Sequence, residues 1–114
     1  MKGPARGLGA MRRRVELQQE ARTPDGGGGF TVSWTTVATV WAEITPLAGR
    51  ERIEAMRLQG ELTHRIVIRH RRDLAPDHQW RLRLGARTFN VRAVINQGER
   101  DRFLELLCRE AVGR

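Results

Sequence analysis

Cysteine, lysine and serine each occur once in the 114 residues, and each scarcity excludes something. A lone Cys108 cannot make an intrachain bridge, which removes the secreted disulfide-scaffold class and fits assembly in a reducing compartment. The lone serine, Ser33, sits in an alternating stretch and belongs to no nucleophile motif. No apolar run approaches the roughly 18 residues of a membrane-crossing helix, so no membrane partner is expected. The opening MKGPARGLGAMRRR carries charge but no apolar core, and a secretory signal is not expected there. Carboxylates are few and flanked by arginine: Glu51 by Arg50 and Arg52, Asp101 by Arg100 and Arg102. Solvated ion pairs account for that pattern better than acid–base catalysis.

Histidine is scarce as well. His64 and His70 fall on one face of one expected strand, where six residues at about 3.3 Å each place them roughly 20 Å apart. Ligands of one ion stand about 2 Å from it, so these two cannot share a metal. His78 and Cys108 have no neighbour at ligand spacing. The reading is therefore no metal, no cofactor and no enzyme.

Arginine is what the chain has, at 20 of its 21 basic positions. The net charge of +8 is uneven: residues 1–14 carry +5, 15–63 carry −3, 64–98 carry +6 and 99–114 carry none. Such asymmetry fits a polyanion or an acidic partner, and arginine suits bidentate phosphate or carboxylate contacts. A base composition that enriches arginine codons gives the same count without selection for binding.

A chain of this mass should expose roughly 6,300 Å² folded against roughly 19,000 Å² unfolded, enough burial for one domain. Residues 1–12 show no period and are expected to form a flexible basic arm, with one β-barrel domain over 13–112. From Arg13 the hydrophobic period is two. Val15 and Leu17 alternate with Glu16 and Gln18, which reads as a half-buried strand. The run Asp25-Gly26-Gly27-Gly28-Gly29 is expected as a flexible hairpin loop, since four glycines weaken any regular element. It feeds a strand rather than a helix, which argues against a phosphate loop. Phe30, Val32 and Trp34, then Ala38, Val40, Ala42 and Ile44, continue one alternation to Pro46, placing Trp34 in the core. Val37 and Trp41 point to the other face, where a loop or another subunit would cover them.

Residues 47–60 break the pattern and suit a long loop or a short helix bounded by Gly49 and Gly60. Leu62, Ile66 and Ile68 resume the period, with Val67 out of step. Trp80, Leu82 and Leu84 follow, with Trp80 in the core. Gly85-Ala86 suits a tight hairpin. Phe89, Val91, Ala93 and Ile95 form the returning strand. Leu104, Leu106 and Cys108 form the last set, with Phe103 and Leu107 opposite. A helix competes there on propensity, and strand is preferred. Six or seven antiparallel strands with short connections make an all-β chain, a small β-barrel or sandwich, and the barrel is the expectation carried forward.

Arg65, Arg69 and Arg71 share a face of one strand, and Arg81 and Arg83 share a face of the next. If those strands pair, five guanidinium groups form a basic surface; the alternative is an ordinary solvated sheet face. Trp80 and Phe89 fall in the core phase, so no stacking platform is available for single strands. DNA contact would then be to phosphates and independent of sequence.

The order of pieces resembles a known family. Val37-Ala38-Thr39-Val40-Trp41-Ala42-Glu43-Ile44 leads to Pro46-Leu47-Ala48-Gly49-Arg50-Glu51. Thr63-His64-Arg65-Ile66 and Arg87-Thr88-Phe89-Asn90-Val91 follow, with Glu105-Leu106-Leu107-Cys108-Arg109-Glu110 last. In that order they resemble the head–tail joining proteins of long-tailed phages, the head-closure or stopper family, from about Arg13 to Ala111. The resemblance implies a β-barrel subunit in a homo-oligomeric ring between a portal-proximal adaptor protein and the tail terminator or another tail-proximal protein. The ring would hold packaged double-stranded DNA in its channel and dock the tail, in a virion or phage-like particle assembled in the host cytoplasm.

In that family a loop projecting into the channel closes it. Residues 47–60 occupy the matching interval, making Arg50, Arg52 and Arg57 candidate DNA contacts; a helix capping the barrel through Ile53 and Met56 is the alternative. Val37 and Trp41 are candidate subunit contacts. The competing function is a small β-barrel nucleic-acid-binding protein of the host.

Overall fold

The computed structural model describes residues 11–50 and 62–111. Six strands are present among them: β1 (Arg13–Pro24), β2 (Phe30–Pro46), β3 (His64–Arg69), β4 (Trp80–Leu84), β5 (Arg87–Asn96) and β6 (Phe103–Glu110). They form one closed antiparallel barrel in the order β1-β2-β3-β6-β5-β4, with β4 returning to β1. The strand expected at the C-terminus is a strand, paired on both sides to β3 and β5. The all-β barrel expectation holds.

The two-residue period builds the interior. Val15 and Leu17 of β1 face Ala42 of β2, Ile66 and Ile68 of β3, Leu104, Leu106 and Cys108 of β6, Phe89 and Val91 of β5, and Trp80 and Leu82 of β4. Phe89, Leu17, Ile66, Ile68, Leu82 and Leu106 are fully buried. Leu74, from the connection between β3 and β4, packs against the same cluster. The barrel is filled by side chains, as expected for so few strands. Val67 is buried too, although it points outward between Glu43 and Glu105; this is why it breaks the alternation of β3.

Both predicted hairpins are present. Gly85, at φ +59°, allows the two-residue turn joining Leu84 to Arg87. The glycine run closes β1 to β2 on Asp25, whose Oδ1 accepts from the Gly27 amide at 2.8 Å and the Gly29 amide at 3.1 Å. Gly26 and Gly28 take φ of +86° and +89°, which other residues rarely adopt.

Two β-bulges change which residues face in. Leu17 pairs with Ala38 but Gln18 pairs with Thr36, leaving Val37 as an extra residue in β2. The facing of β2 reverses there, so Phe30, Val32 and Trp34 lie on the outer face rather than in the core phase of Ala38. The expectation of a core Trp34 is therefore wrong, while Trp80 is buried as expected. In β5, Val91 pairs with Cys108 and Ala93 with Leu107, leaving Arg92 extra. Val94 turns inward to the core and Ile95 outward to solvent, reversing the expected facing of Ala93 and Ile95.

β1 pairs with β4 only over Glu16–Gln19, whereas its ladder with β2 continues to Pro24 and Phe30. Residues 21–33 thus form a two-stranded arm beyond the barrel.

Candidate nucleic-acid and subunit interface

Cys108, on β6, points into the barrel core, where burial pushes its thiol pKa far up and Sγ–H reaches the Leu106 carbonyl at 3.6 Å. His64, at the start of β3, places Nδ1 2.8 Å from Thr63 Oγ1 and its ring edge-on to Phe89, 5.0 Å between centroids. Beside it, Arg87 Nε donates to Glu110 Oε2 at 2.9 Å, and this bond holds the Glu110 carboxyl below its usual range. His70 faces Asp101 at 3.7 Å, His78 is exposed in a turn, and Ser33 is exposed on the arm. His64 stands opposite Cys108 in the β3–β6 register and beside Glu110, while His70, His78 and Ser33 lie elsewhere in the fold. No group of three or more metal-ligating side chains occurs among the described residues.

The five arginines proposed as one basic surface are not brought together. β3 and β4 follow each other in sequence but sit on opposite sides of the barrel, with two strands between them either way round. Arg65 Nε donates to Glu105 Oε2 at 2.7 Å. Arg71 forms a two-pronged pair with Asp73, at 3.1 and 2.7 Å. Arg69 is exposed, with its guanidinium 5.9 Å from the Phe103 ring. On the far side, Arg81 donates to Gln18 Oε1 at 2.7 Å and lies over Trp34 at 4.2 Å. Arg83 donates to Thr88 Oγ1 and the Gly85 carbonyl, both at 3.1 Å. Burial and the like charge of Arg83 lower the Arg81 pKa.

Of the channel candidates, Arg50 is exposed just beyond the buried Leu47, where the chain has left β2. Arg52 and Arg57, with most of segment 47–60 and its competing cap through Ile53 and Met56, lie outside the described residues. So do residues 1–10 of the expected arm; Met11 is buried and Arg12 exposed.

Val37 and Trp41 are both on the outside, 39% and 49% exposed. Trp41 carries the Arg14 guanidinium over its ring at 5.1 Å and borders a cleft of about 220 Å³ lined by Met11, Val40, Arg69, His70 and Arg71. Three further large apolar residues are exposed among the described residues: Phe30 at 61%, Val32 at 49% and Ile95 at 44%. All three fall on interior alternations in the sequence. No glycine or proline marks either bulge, so the sequence around Val37 and Arg92 offers no local signal of the reversal.

The family model described as phage head completion protein matches residues 7–111. No curated protein matches the chain. Among solved structures, a chain from the virion of a native gene transfer agent particle is 28% identical, with a TM-score of 0.63, covering 90% of this chain and 96% of that one. The solution structure of protein SF1141 from Shigella flexneri 2a is 27% identical, with a TM-score of 0.74, covering 96% of this chain and all of that one.

Proposed function

The chain belongs to the phage head completion protein family, and on that premise we propose that it is a head–tail connector of a phage or phage-like particle. Copies of it form a ring between a portal-proximal adaptor and the tail, keep packaged DNA in the head and offer the surface on which the tail docks. The observation that carries this reading is the family match over nearly the whole chain. Its likeness to a chain of a gene transfer agent virion, at 28% identity, points the same way.

The barrel geometry supports a ring. Phe89, Leu17, Ile66 and their neighbours fill the interior, so DNA cannot pass through one subunit. A passage has to be made between copies around an axis, and cyclic rings use heterologous interfaces that need two different surfaces per subunit. Segment 47–60 is the proposed channel element, bringing Arg50, Arg52 and Arg57 of each copy towards the phosphates of exiting DNA.

The experiment is a deletion of residues 50–58, bridged by a short glycine linker, in cells that produce the particle. The expected result is a folded subunit that still enters particles, with packaged DNA leaking or tails failing to attach. Normal DNA retention with normal tails overturns the channel role of this segment. Removal of the whole chain should leave heads and tails unjoined; fully joined particles without it overturn the connector reading.

A further inference from the structure

The arm and the Trp41 cleft have complementary chemistry at opposite ends of the β1–β2 ladder. On one face of the arm, Phe30 pairs with Pro24 and Val32 with Arg22, and at its base Trp34 pairs with Glu20. Arg22 and Glu20 neutralise each other at 2.9 Å. What remains is an exposed apolar strip, Phe30 and Val32, ending in Asp25. The Asp25 carboxylate accepts only backbone amides and has no cationic partner among the described residues.

The cleft has the opposite character. Met11, Val40 and Trp41 line it together with Arg69, Arg71 and His70, the last 3.7 Å from Asp101, and Arg14 lies over the Trp41 ring beside it. Arg71 is matched by Asp73, but Arg14 and Arg69 face aromatic rings and have no carboxylate partner among the described residues. An apolar strip with a terminal anion therefore has a counterpart in an apolar cleft with two unmatched cations.

They cannot meet within one chain. Arg14 pairs with Trp41 at one end of the ladder and Pro24 with Phe30 at the other, and ten residues of strand separate them by roughly 34 Å. We propose that the arm of one copy seats Phe30 and Val32 in the Trp41 cleft of the next, with Asp25 facing Arg14 and Arg69. This rests on the ring reading and names its two surfaces. The contact is head-to-tail, so each bound copy leaves an arm and a cleft for further copies, and closure gives a ring.

The test introduces one thiol beside each surface, Arg22→Cys on the arm and Arg71→Cys on the cleft rim, in the full chain within particle-producing cells. Both positions are exposed, and the buried Cys108 contributes no background. A short bis-maleimide applied to purified particles should give a ladder of dimers and higher multimers with the double variant and only monomer with either single variant. Particles that contain the double variant but give monomer alone overturn the arm-in-cleft contact and leave the connector reading standing. Particles from which the wild-type chain is itself missing overturn both.

If the double variant does not enter particles, Phe30→Ser with Val32→Ser decides. Both side chains are exposed, so the fold should be kept by circular dichroism while incorporation falls at least tenfold. Wild-type incorporation of that variant overturns the proposal.

Discussion

The guanidinium of Arg81 lies 4.2 Å above the indole of Trp34, spanning β1 to join β4 to β2 on the outside of the barrel. Gln18 of the intervening strand accepts from the same arginine and donates to Thr36, so the acceptor that holds the cation over the ring is itself anchored. A desolvated cation–π contact on an outer face contributes far less than a core indole. Trp34→Ala should cost about 1–2 kcal/mol, whereas Trp80→Ala, which empties part of the barrel, should cost about 3–5 kcal/mol. Urea unfolding of both variants checks this; equal losses would place Trp34 inside.

That pair also shows where the sequence stops being legible. Val15, Leu17, Ala42, Ile66, Ile68, Leu82 and Leu106 announce the core because a two-residue period is a local property of each strand. A bulge is a property of two strands at once. Val37 looks like any β-branched strand residue until Leu17 and Gln18 pair with Ala38 and Thr36, and only then does Trp34 turn outward. Ring closure is less local still. Arg65 and Arg81 lie on successive strands, yet closure through β6 and β5 puts them on opposite sides. The arm, the Trp41 cleft and the division of the arginines could therefore be found only in the fold.

The glycine turn should be pH-dependent. Amides of Gly27 and Gly29 stabilise the ionised form of Asp25, holding its pKa below the usual carboxylate value. A depressed pKa means the turn's stabilisation is complete above the unfolded value and is lost as pH falls through the folded one. Gly27 and Gly29 amide shifts should titrate together, with a midpoint below the usual aspartate value. Asp25→Ala should abolish that titration. Gly29→Ala should disturb the same turn, because its Cβ would come within 2.9 Å of Asp25 Oδ2.

The Arg87–Glu110 pair, bonded at 2.9 and 3.2 Å between β5 and β6, gives a second pH signature. Arg87 lowers the Glu110 pKa mainly through this bond. Its stabilisation is present above the usual glutamate pKa and disappears as the carboxylate is protonated below it. Both side chains are partly exposed, so Arg87→Gln should cost only about 0.5 kcal/mol at pH 7. The difference between variant and wild type should shrink in thermal unfolding as pH falls below the usual glutamate range; a constant gap would mean that Arg87 acts through its packing on Phe89 instead.

Cys108 supplies a probe of the barrel itself. The thiol is fully buried, and loss of solvation pushes its pKa far up, so little thiolate forms at any ordinary pH. An aromatic disulfide reagent should leave the folded chain unmodified at pH 8 and label one thiol per chain in denaturant. Rapid labelling under native conditions would show that β6 opens without global unfolding.

DNA binding by the isolated subunit should be weak. Affinity for a duplex grows with the number of phosphates neutralised at once, each adding about 0.9 to the slope of log K against log salt. The fold limits that number, because β3 and β4 present their arginines on opposite sides. Local carboxylates further occupy Arg65 and Arg71, so of these five arginines Arg69 remains on one side and Arg81 and Arg83 on the other. Either sheet face alone should therefore give a slope of only about −1 to −2, with affinity at or below the ordinary non-specific range of about 10⁻⁴–10⁻⁶ M at physiological salt. The proposed ring would change the count by multiplying whichever cations face its axis. A salt series on the monomer measures the slope directly. Tight or sequence-selective binding by the monomer would mean that one copy already presents a complete DNA surface, and a free nucleic-acid-binding barrel would then explain the chain better than a connector.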